Sequence, residues 1–211
     1  DWAWQMGTQG LDYKAVRDNA GDIGTLTHLL IESEIKGIKS DLTEYSQANL
    51  DKAKVGFINW LDWFKLHSIK TIQSEIPLVS EVNKFGGMID WIVQEHQDLW
   101  LIDFKTSKAL YEEHIYQVAS YKILWEENEP SFPISQVHIL RMDKETSGFE
   151  DRLISQHELD LGYQIFLTCL DIYNTSAVLT SVLTAGHNFG LGTTTPYAKL
   201  SVDGRGVFNQ D

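Results

Sequence analysis

At 211 residues and 24.1 kDa, the chain has room for one well-packed domain and an appendage. A hydrophobic content of 43% excludes an intrinsically disordered chain, and a lone cysteine, Cys169, excludes an internal disulfide or a four-cysteine metal cluster. The net charge of −13 repels nucleic acid at long range, which disfavours a tight sequence-reading DNA binder but leaves room for divalent ions that bridge carboxylates to phosphate.

No continuous apolar run reaches the roughly 18 residues of a membrane span, and no basic leader precedes an apolar stretch. The expectation is an intracellular α/β or α+β domain with no membrane partner. The chain opens Asp1-Trp2-Ala3-Trp4 without an initiating Met, which reads as a domain short of its extreme N-terminus.

Ile23, Leu26, Leu30 and Glu34 follow helical spacings and predict a helix over about Asp22 to Ile35, with Gly21 and Gly24 at its start. A second helix is predicted over about Thr43 to Leu66, capped by Asp41 or Thr43, with Val55, Ile58, Leu61 and Phe64 as its apolar stripe. Short strands follow at Thr71–Pro77, Met88–Val93 and Leu99–Lys105, the last two joined by the polar turn Gln94 to Asp98. A turn centred on residues 96 and 97 sets Asp90 opposite Asp103, a register that a one-residue slip would reverse. Alternation then puts Leu101, Asp103 and Lys105 on one face and Ile102 and Phe104 on the other.

A helix from Glu112 to Glu126 brings Gln117 and Tyr121 to one side, four residues apart. Gln136–Met142 alternates like a strand, Gly148 marks a turn, Phe149–Ser155 is its partner, and Glu158–Tyr173 closes the domain as a helix. The order implies a mixed sheet with helices on its faces. Beyond about residue 175 the composition changes. The charged residues there are Lys199, Asp203, Arg205 and Asp211, and the segment is rich in Gly and Thr, including Thr193 to Thr195. Residues 1–175 therefore read as the domain and 176–211 as a β-prone or flexible tail.

Two oppositely charged groups extending an apolar strand face, Asp103 and Lys105, need a reason. Together with Glu75 and Asp90 they suit a magnesium-type ion, which takes hard oxygen ligands and keeps several waters. A backbone carbonyl near Phe104 supplies a further oxygen. Such an ion polarises a phosphorus centre and activates a bound water, while Lys105 orients that water or neutralises developing charge. The bland readings are a surface ion pair for Asp103 and Lys105, a strand-end acid for Glu75, a satisfied helix-face histidine for His28, and simple bracing for Gln117 and Tyr121. Lys108, Arg141, Lys144 and Arg152 are candidate phosphate contacts or solvated charges. His67, His96, His114, His138, His157 and His187 form no pair with metal-ligand spacing.

The motifs Gly24-Thr-Leu-Thr-His28, Glu75, Gly87-Met-Ile-Asp90, Asp103-Phe-Lys105 and Gln117-Val-Ala-Ser-Tyr121, in that order, resemble the PD-(D/E)XK nuclease superfamily. Within it, the RecB-like and Cas4-like exonucleases and their stand-alone phage relatives are the nearer match, over about residues 20–175. The resemblance implies a restriction-endonuclease-like α/β fold, a mixed sheet flanked by helices. It implies that Asp90 and Asp103 bind Mg2+ or Mn2+, that Lys105 is the catalytic lysine, and that Glu75 is the upstream acid. It further implies that His28 approaches the metal and that Gln117 and Tyr121 contact DNA or support the site. Cys169 alone cannot hold the iron–sulfur cluster of some members, and no ATP-binding loop is present.

The function implied is a metal-dependent deoxyribonuclease, an exonuclease of phage or prokaryotic recombination or repair, working in the cytoplasm on DNA. A homo-oligomer or a recombination protein is the further partner expected. The alternatives are a catalytically weak DNA-end-binding module and a phage structural or assembly protein. The last is raised by the stretch Asn188 to Gly206, which resembles β segments of phage tail-fibre-like proteins.

Overall fold

The computed structural model describes residues 8–9, 13–144, 146–184, 189–191 and 200–202. Helix α1 spans Tyr13–Lys36 and begins well before the expected Asp22, so Gly21 and Gly24 lie inside it. Gly24 has a packing reason to be there: a Cβ would stand 3.0 Å from Thr106 Oγ1, so a side chain here would make that hydroxyl or the helix give way by a few tenths of an ångström.

Helix α2 spans Gln47–Leu66 and is capped by Ser46, whose hydroxyl accepts from the Asn49 N–H. Asp41, an expected cap, instead accepts from the backbone and hydroxyl of Thr43 in a separate turn. The buried stripe of α2 is Ala53, Gly56, Trp60 and Trp63, while the expected Ile58 is 53% exposed. The tryptophans carry more apolar area than Ile58, and they set which way the helix faces. Small Gly56 lets α2 close on Thr27 of α1.

The sheet follows as β1 (Ile69–Ser80), β2 (Phe85–Glu95) and β3 (Asp98–Lys105). Helix α3 (Glu112–Asn128) then crosses over to β4 (Gln136–Met142), which turns back into β5 (Phe149–Leu153). The strands lie in the order β1-β2-β3-β4-β5; β3 and β4 are parallel and the other neighbours antiparallel. The parallel pair requires a long connection, and α3 provides it. Helix α4 spans Gln156–Thr184.

One sheet face carries Ile92, Leu101, Val137 and Ile139 against Val118, Ala119 and Trp125 of α3 and Leu159 of α4. The other carries Trp91, Ile102, Phe104 and Leu140 against Ile31 of α1 and Trp60 and Trp63 of α2. This is the mixed, helix-flanked α/β sheet that the element order implied.

The chain divides into two units, Asp1–Tyr163 and Gln164–Asp211, and the division falls inside α4. That helix runs past its expected end at Tyr173, and its Gln156–Leu183 stretch is long and apolar enough to cross a membrane by length and composition. In the second unit, β6 (Phe189–Leu191) and β7 (Leu200–Val202) pair in parallel. Trp2, Trp4, His187, Thr193 to Thr195, Lys199, Asp203, Arg205 and Asp211, with most of the 188–206 stretch, lie outside the described residues.

Candidate active site

The β2–β3 ladder runs from Glu95↔Asp98 to Trp91↔Ile102, and its next step sets Asp90 opposite Asp103. There a side chain replaces a backbone acceptor: the Phe104 N–H donates to Asp90 Oδ2 at 2.8 Å. On the other side of β2, Glu75 falls between the pairs Ser74↔Trp91 and Ile76↔Ile89 and has a left-handed backbone, φ 50°. That conformation costs a glutamate about 1 kcal/mol or more and interrupts the ladder where its carboxylate meets the site.

His28 reaches the same place from α1. Its Nε2 lies 3.1 Å from the Phe104 carbonyl oxygen, which only accepts, so Nε2 carries the proton. Nδ1 then presents a lone pair in the neutral ring, 3.8 Å from Asp90 Oδ2. Burial holds the His28 pKa below its ordinary value despite the nearby Asp103 charge, which favours that neutral form. Single ligand atoms of His28, Glu75 and Asp90 all lie within 4.8 Å of one another. A cleft of about 400 Å³, lined by Gly24, Thr25, His28, Leu29, Glu32 and Glu75, opens beside them.

Asp103 is only 1% exposed. Its Oδ2 ion-pairs with Lys105 Nζ, and its Oδ1 accepts no hydrogen bond among the described residues. Burial and the Asp90 charge push its pKa up to about 7 against the pull of Lys105. Asp90 is pushed up to about 6, chiefly by burial, although the Phe104 N–H and Lys105 oppose the rise. Glu75 is raised as well, by burial and by Glu32. A buried, under-bonded carboxylate beside two more acids is unfavourable without a cation.

On α3, Gln117 Nε2 donates to the Tyr121 hydroxyl oxygen at 2.7 Å. Burial, followed by the charges of Asp103, Asp90 and Glu75, pushes the Tyr121 pKa up to about 12, so the phenol stays protonated beside the carboxylates. His28, Glu75, Asp90, Asp103, Lys105, the Phe104 carbonyl, Gln117 and Tyr121 thus form one connected neighbourhood. Glu32 was not singled out from sequence, yet it lines the cleft; its position one turn after His28 is the signal that marks it.

Two candidate phosphate contacts are otherwise engaged. Arg141 Nε donates to Glu150 at 2.9 Å, and its Nη1 reaches the carbonyls of Ser107 and Lys108, pinning the loop after β3. Arg152 donates to Glu158 at 2.6 Å. His67 and His138 bond Glu95 and Asp151, at 3.0 and 2.7 Å, on the α2 side of the sheet.

No family model matches the chain, and no curated protein matches it. Among solved structures it is similar to a crystal structure from Eubacterium rectale named "Putative exonuclease", with a TM-score of 0.51 and 16% identity over 74% of this chain. The match spans 66% of that protein, just under two thirds of its length. At this identity the likeness is one of fold, and it agrees with a restriction-endonuclease-like α/β arrangement.

Proposed function

We propose that the chain is a divalent-metal-dependent nuclease of the PD-(D/E)XK type, hydrolysing phosphodiester bonds of DNA from an end. The observation that carries this reading is Asp103: fully buried, with one oxygen unbonded, and set beside the His28, Glu75 and Asp90 cluster. That donor set fits a small hard cation, since it offers several oxygens and one imidazole nitrogen, a mixture that suits Mg2+ or Mn2+. Asp90, Asp103 and His28 would hold the ion, with Glu75 and the Phe104 carbonyl completing the surroundings. Once bound, the ion supplies Lewis-acid polarisation of a phosphoryl oxygen and a more acidic water.

The remaining chemistry belongs to the chain itself. Lys105 holds an ammonium against Asp103, placed to balance negative charge that grows on the phosphate in the transition state. The Phe104 N–H fixes the Asp90 carboxylate, and the Phe104 carbonyl fixes the His28 tautomer, so both point into the site without needing to reorganise. Tyr121, a protonated phenol held by Gln117, offers a neutral donor next to the acids. The neighbour named "Putative exonuclease" supports end-directed action. Work in prokaryotic or phage DNA recombination is a further part of this proposal.

Calorimetric titration with Mn2+, followed by incubation with labelled single- and double-stranded DNA, tests the reading. Saturable manganese binding and metal-dependent loss of nucleotides from ends are expected. Binding with no cleavage of either DNA would reduce the chain to a DNA-end-binding module, the alternative reading.

A further inference from the structure

The first turn of α3 carries a histidine whose proton is placed by the helix cap. The Tyr111 N–H donates to His114 Nδ1 at 3.2 Å, and the His114 N–H donates back to the Tyr111 carbonyl at 3.1 Å. The two rings meet edge to face with centroids 5.5 Å apart, which holds the imidazole in one orientation. An Nδ1 that accepts a hydrogen bond carries no proton, so in the neutral ring the proton sits on Nε2. Capping therefore accounts for one ring nitrogen and leaves Nε2–H as a donor with no partner among the described residues.

His114, Gln117 and Tyr121 follow one another by three and then four residues, which puts them in one row on α3. The Tyr121 end of the row lies among the charges of Asp103, Asp90 and Glu75. At the His114 end, burial and then the Lys105 charge hold the pKa below its ordinary value against the pull of Glu113, which favours the neutral ring. A fixed N–H donor on the helix row that leads to Gln117 and Tyr121, with no acceptor on it among the described residues, is suited to an anionic oxygen that arrives from outside.

We propose that His114 Nε2–H binds a phosphate oxygen of the nucleic-acid strand, adjacent to the phosphate held at Lys105. This rests on the nuclease reading above and narrows it: one backbone contact is made by a neutral, pre-oriented donor rather than by a cation. Such a contact suits a chain of net charge −13, in which Arg141 and Arg152 are committed to internal partners.

Two substitutions in the full-length chain separate the two ring nitrogens. In His114→Asn the side-chain oxygen takes the place of Nδ1 and keeps the Tyr111 cap, but nothing stands at Nε2. In His114→Gln the amide nitrogen reaches the Nε2 position, but the cap acceptor is lost. With manganese and labelled DNA, H114N is expected to keep the wild-type melting temperature and kcat while KM rises about tenfold, the size of one hydrogen bond to a charged group. H114Q is expected to melt lower and keep a KM near wild type. Neither removes a charge at neutral pH, so the salt dependence of DNA binding in calcium should keep its slope. A wild-type KM for H114N, or KM values that follow melting temperature across both variants, overturns the proposal while leaving the nuclease reading intact. Absence of cleavage by the wild-type chain itself overturns that reading and this proposal together.

Discussion

A Cβ built on Gly87 would lie 2.6 Å from Tyr121 Cε1 and 3.2 Å from Leu124 Cδ1. Real Cβ atoms do not approach a ring that closely, so the glycine three residues before Asp90 lets the Tyr121 phenol lie against β2. Gly87→Ala should push the ring away from the carboxylates, lower kcat about tenfold or more, and destabilise the fold by about 1–3 kcal/mol. Manganese affinity should change little, because Asp90 and Asp103 stay where they are. Wild-type kcat in G87A, with denaturant melts confirming the folded state, would show that Tyr121's position does not matter to turnover.

The raised pKa values of Asp90, about 6, and Asp103, about 7, carry a signed consequence for stability. Both lie above the unfolded carboxylate value of about 4, so between those limits the native state binds more protons than the unfolded one. Without metal, these two groups favour folding most at low pH, and that contribution is lost as pH rises from about 4 to about 7. Lowered pKa values at His28 and His114 act in the opposite direction below about 6.5, so the contribution is best isolated by difference. In chelator, the stability of Asp103→Asn relative to wild type should increase as pH goes from 5 to 8, by on the order of a few kcal/mol. A difference that stays flat across this range would contradict the raised Asp103 pKa.

Helix α4 crosses from the first unit into the second, and its contribution to the sheet core is Leu159 with Tyr163 packed beside it. Ending the chain after Thr175 leaves those residues and every candidate site residue in place. The shortened chain should keep circular dichroism of a folded α/β domain and metal-dependent turnover within about threefold of full length, a difference under 1 kcal/mol. A folded but inactive truncation would make residues 176–211 part of the working enzyme.

Some of this architecture was legible in the sequence because side-chain period is strict in a strand. The apolar alternation through Leu101, Ile102 and Phe104, with a short polar turn, leaves one hairpin register that buries both faces, and it is the register that opposes Asp90 to Asp103. Helix faces were less legible. In α2 the stripe through Val55 and Ile58 competes with one through Ala53, Gly56, Trp60 and Trp63, and tertiary packing of the two indoles decides. The left-handed backbone of Glu75 has no local signature, because a glutamate adopts it only when its surroundings impose it. Nor does sequence reveal that Arg141 is spent on two carbonyls and Glu150, or that His114 caps its own helix with one nitrogen and leaves the other without an acceptor among the described residues. Those facts depend on partners distant in the chain or on a rotamer.

The most direct measurement is cleavage of end-labelled DNA by purified, manganese-loaded Asp103→Asn beside wild type. Asparagine keeps the volume of the buried side chain but removes the charge that faces Lys105 and the His28, Glu75 and Asp90 cluster. A folded D103N with kcat/KM lowered at least about a hundredfold, a loss of nearly 3 kcal/mol of transition-state stabilisation, is the expected result. Wild-type cleavage by D103N with metal bound would contradict the assignment of this buried carboxylate to the chemistry.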